Sequence, residues 1–474
     1  MKKNINQLAM KGGAYSLALT AIVLAILVVA NIFVSAMPTP RTKFDISAST
    51  LYSITSNTKV VVNNLQQDVT IYWVVQADAE DAIIENLLGK YDGLSSHIEV
   101  VKKNPDVFPT FAQQYTDAEV PNNSLIVESG DRYRYISYDE LYETELDYYS
   151  YTYVTSGFDG EGAITSAIDY VVTEDLPQLY VLEGHGEADL PTTFADSIEK
   201  ENIEVTSISL LTVDTIPEEA DAVMIYAPQS DISEAEKTML ADYTANGGKL
   251  LVMAGPVDGV TLTNLNSLLA DYGVEMAEGI VIEGSRDHYI SGYPYSLMPD
   301  MVSHTITDSL IEERYYPIFP IAQGMIIGDT ANGTVTELMT TSTLAFSKTA
   351  GFALDTYDME EGDVEGPFSV ALAIETAGAG QIVWFSASDF LDDMYNTYSS
   401  GANVDLAMNA ISSLMGEREA LAIRSKSLNY NYLTISEDTS AILKTLMIGV
   451  FPLAYLGVGI CVMMGKRGKQ NETD

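Results

Sequence analysis

Between residues 179 and 254 short apolar runs alternate with helix-patterned segments, and this alternation restricts the fold more than any other feature. LYVL at 179–182, AVMIYA at 222–227 and KLLVMA at 249–254 are too short for helices and have the composition of buried strands. Residues 193–200 and 233–246 lie between them with helical spacing. Ser233 as N-cap and Glu236 three positions on form a capping box, and Gly247-Gly248 is the stop. Buried strands alternating with helices predict a parallel, doubly wound sheet. Residues 381–386 resume the pattern as a strand, Asp389-Phe390-Leu391 follow, and 403–415 close it as a helix. The less regular stretch 283–345 reads as an insertion.

A smaller unit precedes this one. Residues 37–60 are polar and read as a lead-in segment with Ser and Thr caps. TIYWVVQ from Thr70 is a buried strand, and Ile83, Ile84, Leu87 and Leu88 form a helix stripe within 80–91. Residues 97–101 are a second strand that ends at the 102–105 breaker. Residues 124–128 and 133–137 alternate as a hairpin about Ser129-Gly130-Asp131. Strand, helix, strand and hairpin make a small α/β sandwich, thioredoxin-like in outline but without a thiol pair. Residues 131–160 hold eight tyrosines, at 133, 135, 138, 142, 148, 149, 151 and 153. Alternating tyrosines suit stacking on a glycan or peptide; cross-strand pairing on a half-buried hairpin is the plainer account.

The two ends differ from the rest. Residues 14–36 carry no charge over 23 positions, and 442–464 form a second apolar stretch with Lys444 and Pro452 inside it. At about 1.5 Å per residue either reaches about 35 Å, enough for a bilayer. Lys2, Lys3 and Lys11 precede the first, and Lys466, Arg467 and Lys469 follow the second. Basic flanks stay in the cytoplasm, so the expectation is a two-pass plasma-membrane protein. Cytoplasmic tails would be 1–13 and 465–474, transmembrane helices 14–36 and 442–464, and the bulk of the chain extracellular. Val34-Ser35-Ala36 leaves a cleaved signal peptide as the alternative for the first stretch. The fold class expected is thus α/β: two transmembrane helices flanking an external body made of a small thioredoxin-like domain and a larger doubly wound parallel-sheet domain. The small domain would run over 37–155, the large one over 156–420, and a stalk over 421–441.

Charge excludes one class of partner. The chain has 24 Lys plus Arg against 67 Asp plus Glu, a net charge of −43, which argues against nucleic acid. Nearly all of it lies in 38–440, where 17 basic residues face 65 acidic ones. The one cysteine, Cys461, rules out an internal disulfide, a CxxC pair and a nucleophilic thiol in the large unit. Neither GxxxxGK[ST] nor GxSxG occurs.

Gly184-His185-Gly186-Glu187 is the most site-like tetrapeptide, following a predicted parallel strand where α/β ligand crevices form. His185 and Glu187 have the chemistry to bind a metal or exchange a proton. The chain has four histidines, at 97, 185, 288 and 304, and none pairs at metal-ligand spacing. The plainer account is a glycine-enabled turn in which His185 bonds backbone. Asp355, Asp358, Glu360, Glu361, Asp363 and Glu365 crowd one loop around Gly362. An oxygen-rich loop of this kind suits calcium, although the spacing is not that of an EF-hand, and a solvated acidic loop is commoner. No catalytic residue, resident metal or cofactor is assigned.

These residues together resemble a family. FDISASTLYSI at 44–54 looks like the FDLT…K.YSLS lead-in of the gliding-motility-type ABC-transporter auxiliary proteins. EGAITSAI at 161–168 resembles their E..LT.AI helix, and LYVLEGHGE at 179–187 their strand-then-GHGE turn. Ile216-Pro217, Asp221, Ala227-Pro228, Ser233-Glu234, Glu236, GGKLLVM at 247–253 and QIVWFSASDFL at 381–391 continue the likeness in order. The resemblance implies a membrane-anchored, non-catalytic auxiliary subunit whose large domain is similar to glutamine-amidotransferase-like and flagellar-transport-like α/β domains, without the catalytic cysteine of the amidotransferases. It implies an ABC permease and ATPase as separate chains, and leaves the cargo open. The rival reading is a cell-surface ectoenzyme, such as a metal-dependent hydrolase of glycan or peptide at the GHGE crevice. A purely structural surface protein is the third.

Overall fold

The structure is a computed structural model that describes residues 18, 21–29, 32, 51, 53–147, 152–329, 332–416, 423, 426–428, 444–457 and 459. The small unit begins with helix α1 (Ser56–Asn63), whose N-cap Thr55 accepts from the Thr58 amide. Strand β1 (Val69–Val74) follows, and helix α2 (Ala82–Leu94) is capped by Asp81, which accepts from the amides of Ile83 and Ile84. A carboxylate there satisfies two of the four free amides and complements the helix dipole. Strand β2 (Ile98–Lys103) lies parallel to β1, and the hairpin β3 (Ser124–Ser129) and β4 (Arg132–Ile136) completes the order β2-β1-β3-β4. A ribbon of β5 (Tyr142–Asp147) and β6 (Thr152–Phe158) leads to helix α3 (Gly160–Val172), whose Ile164, Ala167, Ile168 and Val171 enter one core with Ile71, Trp73, Leu88 and Tyr91.

In the large unit β7 (Gln178–Leu182), helix α4 (Thr192–Lys200), β8 (Glu204–Ile208), β9 (Ala222–Tyr226), helix α5 (Glu234–Ala245) and β10 (Lys249–Met253) succeed one another. β8, β7, β9, β10 and the strand Gln381–Phe385 are parallel neighbours in that order. Every residue of β9 is buried, as the unbroken apolar run requires of a strand covered on both faces. Alternate side chains enter two cores. Met224, Met253 and Phe385 join one with the helix Ala402–Met415, while Ile225, Val252 and Trp384 join the other with Leu240 of α5.

The sheet is not parallel throughout, which corrects the expectation. Ser369–Thr376 pairs antiparallel with Gln381–Phe385, and Gly333–Thr340 and Met325–Ile327 extend that half antiparallel. Among the described residues the sheet has ten strands. The reason lies in the connection: 377–380 is a four-residue turn, and a crossover to a parallel neighbour needs about a dozen residues. Part of the stretch read as an insertion therefore supplies sheet strands, while Tyr289–Ile290, Tyr293–Leu297 and Phe319–Pro320 make a small sheet of their own.

The two transmembrane helices, and with them the two-pass plasma-membrane topology with cytoplasmic tails and an extracellular bulk, are overturned. Among the described residues no helix is long and apolar enough to cross a membrane. Helix is described at residues 18, 21–29 and 32. The helical run at 444–457 reaches about 21 Å, with a π-helical segment at Thr445–Val450. The chain is a mixed α/β protein; its spanning helices are withdrawn.

Candidate functional site

β7 is followed in sequence by β8 on one side of it, and β9 and β10 lie on the other. The sheet order reverses between β7 and β9, so the crevice beyond their carboxyl ends is where an α/β sheet ordinarily takes a ligand. Gly184-His185-Gly186-Glu187 occupies that place. Gly184 has φ 121° and Gly186 φ 75°, left-handed values that favour glycine, so the turn is glycine-enabled as expected.

The ring of His185 bonds carboxylates, however, and not backbone. Glu187 folds back so that Oε2 accepts from the amides of Gly184 at 3.0 Å and His185 at 2.7 Å, while Oε1 lies 3.0 Å from His185 Nδ1. On the far side Nε2 lies 3.2 Å from Glu236 Oε2, and Glu236 Oε1 is equally near but off the hydrogen-bond axis. His185 is 6% exposed. A carboxylate only accepts, so a ring N–H of His185 on either side donates to a carboxylate oxygen of its own chain.

Glu236 is the third residue of α5, and its capping box with Ser233 forms as the sequence predicts. Burial alone would raise its carboxyl. Hydrogen bonds from the Ser233 amide and hydroxyl and from His185 outweigh burial and hold it below the usual carboxylate range. The turn is also stapled to the loop after β9: the His185 carbonyl accepts from the amides of Gln229 at 3.0 Å and Ser230 at 2.9 Å and from the Ser230 hydroxyl at 3.0 Å. The first residue beyond β9 is Ala227, held at φ 49°, a strained value for a residue with a Cβ. Where a strained strand-to-helix turn presents a nucleophile in some α/β enzymes, this one presents a methyl group.

The acidic loop has a cation, and it belongs to the chain. Lys348, fully buried, donates from Nζ to the Asp358 carbonyl at 2.7 Å, to Glu360 at 2.6 Å and to Asp363 at 3.1 Å. Burial opposes the charged forms, yet the carboxylates hold the Lys348 ammonium above its usual range, and the Glu360 amide, Lys348 and the Thr349 amide hold the Asp363 carboxyl below its own. Among the described residues no group of three or more His, Cys, Asp and Glu side chains is placed to hold a metal.

Four of the tyrosines have packing and hydrogen-bonding roles. The Tyr138 and Tyr142 hydroxyls donate to Asp81, the cap of α2, at 3.4 and 2.8 Å, and Tyr135 donates to Ser124 at 3.4 Å. Tyr133 packs edge-on against Tyr115. Tyr148, Tyr149 and Tyr151 lie outside the described residues.

The site residues that sequence reasoning missed are in the small unit. Glu161, 2% exposed, accepts from the Thr55 amide at 2.7 Å, the Thr55 and Thr58 hydroxyls at 2.8 and 2.7 Å, and Lys426 Nζ at 2.6 Å. Lys426 also donates to the Ser53 carbonyl, and its short strand Lys426–Ser427 pairs with β6. Burial would raise Glu161; the bonds from Lys426, Thr58 and Thr55 outweigh it and hold the carboxyl low. Lys426 fell in the segment read as a stalk, where one lysine among weakly alternating residues has no recognisable pattern.

Residues 176–292, from β7 through the loop after β9 to the start of the small sheet, match the family model described as "ABC-type uncharacterized transport system". That match supports an ABC-transporter auxiliary family. Residues 48–141 match a domain of unknown function, DUF7088. No curated protein matches the chain. Among solved structures it is similar to the "mmIFT52 N-terminal domain", at 15% identity over 51% of this chain and 98% of that one, with a TM-score of 0.37. It is also similar to a glutamine amidotransferase from Thermotoga maritima, at 8% identity over 52% of this chain and 100% of that one, with a TM-score of 0.29.

Proposed function

We propose that this chain is a non-catalytic auxiliary component of an ABC transporter, acting by binding its partner chains. The ATPase and the permease are then separate polypeptides. The family match over residues 176–292 supports the transport reading, and the absence of GxxxxGK[ST] from the sequence supports a separate ATPase.

One observation carries the non-catalytic part: the His185 ring sits between two carboxylates of its own chain, 6% exposed. A general base or metal ligand needs a ring nitrogen facing substrate, and both nitrogens here face Glu187 and Glu236. A hydrolase at this crevice would require the turn to open and three hydrogen bonds to the His185 carbonyl to break.

The experiment is recovery of partners. Tagged full-length protein is cross-linked in cells, extracted in detergent and its partners identified. ABC ATPase and permease chains should come down with it. Their consistent absence, with other partners recovered, would remove the transport reading.

A further inference from the structure

We propose that the cleft past the carboxyl end of β10 is a binding site for a neutral saccharide. It lies on the same edge of the sheet as the His185 turn, and it does not rest on the transport reading.

The cleft has a volume of about 840 Å3. That is toward the upper end of the range of about 300–1,000 Å3 that small-molecule sites occupy. Its position, outside the carboxyl end of a parallel strand, is where α/β sheets bind ligands. β10 ends at Met253, the Ala254 amide donates to the Phe385 carbonyl at 3.1 Å, and the chain from Gly255 onward borders the cleft.

Two turns line it, each carrying an apolar side chain into water. The turn at 257–260 is closed by the Val260 amide, which donates to the Val257 carbonyl at 3.2 Å, and Val260 is 39% exposed. The short turn Gly351–Ala353 carries Phe352, 46% exposed. This second turn stands on a fixed base. The Thr349 amide donates to Asp363 at 3.1 Å beside the buried Lys348, and a Cβ at Gly279 would lie 2.0 Å from the Lys348 carbonyl oxygen. A cleft whose walls are set before binding loses less entropy on taking a ligand.

The helix Thr263–Ala270 and Gln323 supply the polar groups. Among the described residues the Thr263 hydroxyl and the Asn266 side chain make no hydrogen bond within the protein. Ser267 donates to the Asn264 carbonyl at 2.7 Å, and its oxygen can still accept. Gln323 donates from Nε2 to the Ala277 carbonyl at 2.8 Å, which holds the side chain and leaves Oε1 to accept.

These four side chains are neutral, and hydroxyls and amides both donate and accept, as sugar hydroxyls do. Among the described residues that line the cleft there is no Lys, Arg or His, and the charged ones are Asp258, Glu275 and Glu278. Phosphates and carboxylates are therefore repelled. All three acids are exposed, and a solvated carboxylate holds a cation weakly. An uncharged ligand fits best. A sugar ring adds an apolar C–H face that can pack on Phe352 while its hydroxyls reach the neutral polar groups.

The test is a saturation-transfer NMR titration of the full-length protein. The neutral probes are cellotriose, maltotriose, mannotriose and triacetylchitotriose. The charged controls are sialyllactose, an anion, and deacetylated chitotriose, a cation. Saturable binding is expected for at least one neutral trisaccharide, with both charged controls weaker. Phe352→Ala and Asn266→Ala should each reduce the affinity about tenfold. Circular dichroism confirms that each variant is folded, as substitution at an exposed and a half-buried position allows. Tighter binding of the trisaccharide than of its methyl monosaccharide assigns the cleft to a glycan chain; equal affinity assigns it to a free sugar. No saturable binding of any neutral probe, a charged control that binds most tightly, or an affinity that either variant leaves unchanged would overturn the proposal.

Discussion

Two of the buried charged clusters among the described residues work over different lengths of chain. The His185 cluster joins residues 2 and 51 positions apart, closing a turn onto the helix of the same α/β repeat. The Glu161 cluster joins residues 106 and 265 positions apart, tying the segment before α1 and the strand at Lys426 to α3. The first makes a crevice rigid; the second gathers the segment before α1 and the strand at Lys426 at one carboxylate. The difference teaches that the most conspicuous motif is a local fastening, while the long-range organisation depends on residues that no motif marks. Glu161 is also the more demanding burial, because its ammonium partner comes from the far end of the chain.

Breaking the longer connection should have the largest effect. Lys426→Met leaves Glu161 buried without its counter-charge, and removing one partner of a buried pair costs about 3–5 kcal/mol. Urea unfolding should show that loss in the midpoint. A change under about 1 kcal/mol would mean that water or the three donors from Thr55 and Thr58 suffice.

Acid should dissolve both clusters. Glu161 and Glu236 have folded-state carboxyls held below the ordinary glutamate value of 4.5. Each therefore adds stability that is present above pH 4.5 and is lost as pH falls through the depressed folded value. Subtracting the unfolding curve of Glu161→Gln from that of the wild type between pH 3 and 7 should give a difference that shrinks toward acid. A difference that grows toward acid would reverse the assignment.

His185→Gln should cost less, about 1–3 kcal/mol, since one amide can replace only part of the double bonding to Glu187 and Glu236. The loss should be local, raising hydrogen exchange at 184–187 and 229–230 and leaving 53–58 unchanged. Faster exchange at both places would show that the two clusters are coupled.

The smallest effect belongs to the acidic loop. Lys348→Met should loosen 355–363 against exchange by about tenfold or more without moving the global midpoint. Restoration of protection by added calcium would revive the calcium-loop reading.

Much of the architecture was legible in the sequence because it is local. TIYWVVQ announced β1, the Ser233/Glu236 spacing announced the start of α5, and Gly247-Gly248 its end. The GHGE turn was legible as a place, since two glycines with positive φ punctuate a strand end, but its ring partners were not. Glu187 is adjacent, whereas Glu236 arrives only when β9 folds beside β7. The strand Ser369–Thr376 went unread because the alternation of strands and helices had suggested a parallel sheet, and a hairpin strand breaks that rhythm. Lys348 and Lys426 had no periodicity to betray them. The terminal stretches were read from apolar composition, which measures hydropathy and not helix length.

The central claim is that the chain acts on a transporter by contact, with its site-like turn serving as a fastening. It is tested most directly by the ATPase rate of the reconstituted transporter, measured without this chain, with the wild type, and with the His185→Gln, Glu187→Gln double variant at matched folded concentration. The account predicts that the chain changes the rate and that the double variant changes it to the same extent. A rate that the wild type leaves untouched, or an effect that vanishes in the folded double variant, would contradict it.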